Sequence, residues 1–279
     1  MKFKHKSLIF LISLFLFSSC GVSYKLLYNQ LDTILIYRID SYFDITSSQK
    51  KYLKKEMANL HSWHRKHHLD TYYSTLRTLR SYAYTNISRP QIERFMKTYN
   101  KSQIIFYEKL VKGITPFFVT LDKKQLKYFS AKLKKDQKKR LKGLRETNKR
   151  RLKNTIRVTE FLYGDLSDNQ KTIIKKKIMT LVKYNKKDVI TFTSRNNRIL
   201  PLLGKPEKKK HLTRALLGWA EDYQSTLPPK YKRKNALLTR QIINLMVYIH
   251  NDLVTQNQRK HSYKKLTEVM NYINSMKNS

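Results

Sequence analysis

The chain has 279 residues, of which 59 are Lys or Arg and 19 are Asp or Glu, for a net charge of +40. Its apolar share of 40% and aromatic share of 12% are enough to build a core, which argues against global disorder. A single cysteine excludes an internal disulfide and any cysteine-rich metal site.

The first element is an export segment. Lys2, Lys4 and Lys6 precede an apolar run from Leu8 to Phe17, and Ser18-Ser19-Cys20-Gly21 follow. A basic region, a short apolar core and small residues before a cleavage point predict a signal peptide over residues 1–19. A cysteine directly after two small residues resembles a bacterial lipobox, which implies a diacylglyceryl and palmitoyl anchor on Cys20. The apolar run is shorter than the ~20 residues that span a bilayer. Extended through Val22 it makes a marginal signal anchor, which is the alternative. By resemblance to the lipoprotein sorting rule, Gly21 in place of an aspartate favours the periplasmic face of the outer membrane over the inner membrane. Removal of residues 1–19 leaves a mature domain of residues 20–279 with a charge of +37.

Asp40 and Asp44 form an i, i+4 acidic pair with Asp32 two turns earlier. Paired carboxylates suit acid–base or glycosidase chemistry, but in so basic a chain they are expected to neutralise Lys or Arg of a neighbouring helix. Glu221 and Asp222, beside Trp219 and Tyr223, are read the same way.

A short motif then recurs: an apolar residue, a capping residue, two further residues and Gln. It occurs as Ile45-Thr46-Ser47-Ser48-Gln49, Ile87-Ser88-Arg89-Pro90-Gln91 and Leu121-Asp122-Lys123-Lys124-Gln125. Leu166-Ser167-Asp168-Asn169-Gln170 and Val254-Thr255-Gln256-Asn257-Gln258 complete the set, with Leu203-Gly204-Lys205-Pro206-Glu207 as a degenerate copy. This is a capping box with an apolar staple, and it predicts helix starts at 46, 88, 122, 167 and 255. With the degenerate copy counted, the spacings of 42, 34, 45, 37 and 51 residues are too uneven for a strict solenoid.

Between these starts the apolar period is helical. Ile174, Ile178, Leu181, Val189 and Phe192 form one stripe, Leu212, Leu216, Trp219 and Tyr223 another, and Tyr263, Leu266, Met270 and Ile273 a third. Strand alternation is absent. The predicted class is all-α, an elongated bundle or array of about 6–8 long antiparallel helices without disulfides.

Two segments stand out within this plan. His61, His64, His67 and His68 lie within eight residues, and on a helix His61, His64 and His68 share a face. Such a face suits a transition metal or proton sensing. With no fourth ligand in the segment and Arg65 and Lys66 beside it, no metal is expected; Trp63 is read as a core or interface anchor. From Asp122 to Arg157 there are 16 Lys or Arg against three acids, +13 in 36 residues. Leu126, Phe129, Leu133, Leu144, Leu152 and Ile156 give this helix a narrow apolar seam. Its Lys134, Lys135, Lys138, Lys139, Arg140, Arg145, Arg150 and Arg151 are the expected contact surface for an anionic partner. The competing reading is a solvated face in a chain whose Lys, Asn, Ile, Tyr and Phe content follows an A- and T-rich genome.

Several stretches together resemble a family of helical lipoproteins of Gram-negative bacteria, classed as a domain of unknown function. They are Tyr28-Asn29-Gln30-Leu31-Asp32, the run from Asp40 to Gln49, Trp63-His64-Arg65, and the box at Leu166–Gln170. Soon after Trp-His-Arg the family has an acidic residue and a proline, where this chain has His68 and Asp70. The resemblance implies a lipid-anchored helical envelope protein and carries no activity with it.

No Gly-rich phosphate loop, nucleophile elbow or Cys–His pair is present. The expected function is a non-enzymatic envelope lipoprotein with no cofactor beyond its covalent lipid. Its expected partners are the membrane, anionic lipids, lipopolysaccharide or another envelope protein. The alternative is an envelope hydrolase or metal-binding accessory factor using Asp40 and Asp44 or the histidine cluster. A pI of 10.2 also fits nucleic acid, a reading that stands only if the export signal is not used.

Overall fold

A computed structural model describes residues 28–194, 198–221 and 228–277. Cys20, Asp222 and Tyr223 lie outside the described residues, as do the side chains of Phe192, Trp219 and Glu221. Among the described residues the chain is 84% helical with no strand. Those residues form eleven α-helices rather than 6–8: α1 (Leu31–Phe43), α2 (Ser47–His67), α3 (Leu69–Ser81), α4 (Arg89–Phe118), α5 (Lys123–Lys142) and α6 (Thr147–Tyr163) come first. Then follow α7 (Asp168–Met179), α8 (Lys186–Ser194), α9 (Lys209–Glu221), α10 (Pro229–Tyr248) and α11 (Gln256–Lys277), with a π-helical turn at Ile249–Leu253.

All five complete motifs start helices as predicted. Thr46, Ser88, Asp122 and Ser167 each accept the N3 amide hydrogen while the N3 glutamine accepts from the cap amide. Thr255 and Gln258 make the same exchange, at 3.2 and 3.0 Å. The stapling residues Ile87, Leu121, Leu166 and Val254 are all buried, so each box fixes both the start of a helix and the angle at which the chain enters it. The degenerate copy is no box. Its cap position, Gly204, has φ +66, and a Cβ there would lie 2.3 Å from the Leu121 carbonyl oxygen. Gly204 donates its amide to the Phe118 carbonyl, so it is a close-approach residue, and the helix begins after it through a 3-10 turn at Pro206–Lys208.

The extra helices come from breaks that lack this motif. The basic segment is two helices rather than one, interrupted at Gly143–Glu146, where the Arg150 guanidinium turns back 2.5 Å onto the Gly143 carbonyl. The stripe from Ile174 to Phe192 also divides, because α7 ends at Met179 and α8 opens at Lys186. The α8 start is itself a box in different letters. Asn185 accepts from Asp188 N–H, and Asp188 accepts from Asn185 N–H at 2.6 Å.

The 30-residue α4, about 45 Å long at 1.5 Å per residue, is the spine. It packs on α2, α3, α9 and α10. The largest core joins α1, α2, α4, α5 and α9 around Phe43, Leu53, Phe117, Phe129, Leu203 and Leu212. Phe43 is its hinge, stacked on Phe129 at 4.4 Å and edge-on to Phe117 at 5.7 Å. A second core lies among α6, α7 and α10 around Ile174, Ile178, Leu238 and Leu245. A third joins Tyr28, Leu69, Tyr72 and Tyr99 to Val269, Ile273 and Met276 of α11.

Candidate functional site

The two ends of the pair α1–α2 define two sites. At one end the turn Asp44–Ile45 connects them. Asp44 adopts φ 52, and Asp40 accepts the Ile45 amide hydrogen at 3.0 Å. Among the described residues neither Asp40 nor Asp44 forms an ion pair, so their expected neutralisation by a neighbouring helix is replaced by a backbone role. Asp40 builds the turn, and the Asp44 carbonyl receives Gln125.

At the other end the histidines meet. His61, His64 and His68 share a face, as the spacing predicts, with the His64 and His68 rings 5.2 Å apart. Two of the three are engaged separately: His64 Nδ1 shares a hydrogen bond with the Tyr28 hydroxyl and His68 Nε2 with the Ser102 hydroxyl, each 2.9 Å, while His61 Nε2 is buried without a hydrogen bond to any described residue. Tyr28 lies edge-on to His61 at 4.5 Å, Trp63 is 5.3 Å from His68, and Phe106 covers His64. Burial pushes His64 down to about 3, with His68 and His61 adding repulsion, and burial pushes His68 down to about 4. Burial also raises Tyr28 to about 12. Both imidazoles are therefore neutral near pH 7 and behave as polar aromatic core. Among the described residues no three His, Cys, Asp or Glu side chains gather into a metal-holding set.

The sequence reading missed a second polar cluster. His250, in the π-turn, donates Nε2–H to the Thr85 carbonyl at 2.9 Å, which leaves Nδ1 to accept the Tyr163 hydroxyl at 2.9 Å. Nearby Arg259 is only 5% exposed, and its Nη2 donates to Asn86 Oδ1 and the Asn251 carbonyl. Asn251 closes the junction by bonding both Ile87 N–H and Ile87 C=O at 2.9 Å. A lone histidine in an apolar stretch carried no local signal for this, because its partners come from 87 and 165 residues away.

The basic surface is divided by the fold. Lys134, Lys135, Lys138, Lys139, Arg145 and Arg150 are exposed, whereas Arg140 and Arg151 are half-buried. Arg151 donates to the Val182 carbonyl at 2.8 Å and lies over the Tyr184 ring, and burial lowers its pKa. It ties α6 to the α7–α8 connection. Arg150 is likewise occupied at Gly143. The acid within α5, Asp136, accepts from the Tyr42 hydroxyl of α1, so it turns inward and leaves the lysine edge uncompensated. Along α9 an open groove adds Lys209, Lys210 and Arg214 to the basic surface.

No helix among the described residues is long and apolar enough to cross a membrane. No curated protein and no solved structure matches the chain. Residues 41–233 match a family of unknown function, DUF6279, and this spans the turn between α1 and α2 from Ser41 onward, the histidine face and the basic helices. The chain belongs to that family.

Proposed function

We propose that the protein is a lipid-anchored, non-enzymatic component of the cell envelope that holds an anionic envelope constituent against the solvent edge of α5. The observation that carries this reading is the edge itself. Lys134, Lys135, Lys138 and Lys139 face solvent on one helix, and no described carboxylate pairs with them. An uncompensated row of this kind costs stability through self-repulsion, and an anionic surface would relieve it. Cys20 supplies the anchor in this reading, and its outer-membrane, periplasm-facing placement follows from Gly21.

The polar clusters support a non-enzymatic role. The histidine and Asp40 groups are absorbed in turns and cores, as Arg259 and His250 are at their own junction. The hydrolase alternative would need Asp40 released from the Ile45 amide. Cys20→Ala tests the anchor: the variant should leave the membrane fraction and lose metabolic labelling by palmitate. Retention of the variant in membranes would instead indicate a signal anchor and overturn the lipid reading.

A further inference from the structure

Alongside the lysine edge of α5 the fold places an apolar face that no described residue covers. Ile34 is 45% exposed and Tyr37 75% exposed on α1, with Arg38 exposed beside them. Exposure of two large apolar side chains on one short helix face marks a contact surface rather than a random scatter.

The relation between α1 and α5 gives that surface its extent. Gln125, at the start of α5, donates to the carbonyl of Asp44 just past the end of α1, Phe43 stacks on Phe129, and Tyr42 meets Asp136 farther along α5, with Lys132 Nζ 5.7 Å from the Tyr42 ring. The two helices therefore run antiparallel, and the start of α1 lies toward the end of α5. Lys135 and Lys139 follow Lys132 by three and seven residues, so all three lie on the α5 edge next to α1. Ile34 and Arg38 lie on the α1 edge next to α5. The outward faces of the pair combine into one surface: Ile34, Tyr37 and Arg38 with Lys132, Lys135 and Lys139.

Where this surface sits in the chain identifies what covers it. Tyr28 lies only eight positions after Cys20, a reach of at most about 29 Å when fully extended. Tyr28 is held on α2 by His64, at the same end of the bundle as the start of α1. An amphipathic Tyr, an Ile and a cluster of cations are the composition that settles in a headgroup layer. Each cation near an anionic bilayer strengthens association about fivefold. Four of them give a surface association near the millimolar range. That is too weak to recruit a free protein and sufficient to orient one already tethered.

We infer that the α1–α5 face lies down on the anionic phospholipid surface of the membrane that holds the Cys20 anchor, turning α10 away from it. This rests on the lipoprotein reading above and adds the docking face and its lipid class.

The test uses the full lipidated chain, whose only native cysteine is blocked by the lipid. An environment-sensitive fluorophore is placed at Tyr37→Cys or, as a control, at Leu237→Cys on α10. The protein is then reconstituted into phosphatidylcholine vesicles with or without phosphatidylglycerol. The Tyr37→Cys probe should shift to the blue and resist an aqueous quencher only when phosphatidylglycerol is present, while the Leu237→Cys probe stays quenched in both. Adding Lys135→Gln or Lys139→Gln should lower the seated-to-unseated ratio by about fivefold each. Equal quenching at both sites in phosphatidylglycerol vesicles overturns the inference. Protection that appears in detergent and grows with protein concentration also overturns it, in favour of a second copy of the chain. Labelling of Cys20 in the parent protein would instead show that the anchor itself is absent.

Discussion

Gln49 and Gln125, 76 residues apart, hold each other by both ends of their side-chain amides. Gln125 Nε2 donates to Gln49 Oε1 at 2.7 Å, and Gln49 Nε2 donates back at 3.1 Å. Each oxygen also accepts from its own cap amide, at Thr46 and Asp122. Each nitrogen also donates to the carbonyl two residues before the partner's cap, Thr120 for Gln49 and Asp44 for Gln125. The pair Gln170–Gln258 repeats the arrangement, with donation to Leu253 and Asp165. Two helix starts are thus locked to each other twice in the molecule, and every donor of these four amides is satisfied.

The locks predict strong coupling. Gln125 is 3% exposed, so Gln125→Ala strands the Asp122 and Gln49 groups and should cost about 1–3 kcal/mol. The double variant Gln49→Ala/Gln125→Ala should cost clearly less than the sum, as a shared network requires. Urea denaturation of the four proteins measures this. Strict additivity would mean that the two amides act independently.

The histidine face predicts acid sensitivity. Folded His64 and His68 are held below the ordinary value of 6.5, at about 3 and about 4. Below pH 6.5 the unfolded chain therefore binds protons that the folded chain refuses, so this contribution is full above 6.5 and lost as pH falls. The limiting slope is about 1.4 kcal/mol per pH unit for each histidine. His64→Asn, which keeps an acceptor for Tyr28, should flatten the dependence of stability on pH between about 6.5 and 4.5. An unchanged slope in denaturation curves across this range would show that His64 is protonated in the fold.

Gly204 and Gly218 should respond oppositely to alanine. At Gly204 both φ +66 and the Leu121 carbonyl oppose a side chain, and the substitution should cost roughly 2 kcal/mol or more. At Gly218, inside α9, a Cβ meets nothing within 4 Å, and alanine should stabilise by about 0.5–1 kcal/mol. Thermal melts of the two variants check the pair.

Lys234 covers the buried Asp188, at 2.5 Å, with the carboxylate side chain only 2% exposed. Lys234→Met should cost about 2 kcal/mol by leaving that charge to backbone donors alone. Asn185→Ala/Lys234→Met should be worse than either change, since both loosen the α8 start. A chemical melt of each variant tests this.

What the sequence made legible was local. The boxes at Thr46, Ser88, Asp122, Ser167 and Thr255 could be read because cap and glutamine lie three residues apart. The further partners of those glutamines could not, because Nε2 of Gln170 reaches 83 and 88 residues along the chain. The box at Asn185–Asp188 escaped because Asp replaces Gln. The helix count rose because α3 and α6 start without a side-chain cap, through turns that no short motif announces. At the basic segment only packing could reveal that Arg150 and Arg151 bond to the Gly143 and Val182 carbonyls while Lys134, Lys135, Lys138 and Lys139 face solvent.

The lysine edge of α5 is best tested in place. Amine-reactive labelling followed by peptide mapping, in intact envelopes and in detergent-solubilised protein, reports the reactivity of each lysine. The account predicts that Lys134, Lys135, Lys138 and Lys139 are protected in envelopes, while Lys209 and Lys210 on α9 are labelled equally in both. High salt should remove the protection, because exposed charges are screened beyond about 8 Å even at 0.15 M. Equal labelling of the α5 lysines in envelopes and in detergent would contradict the account.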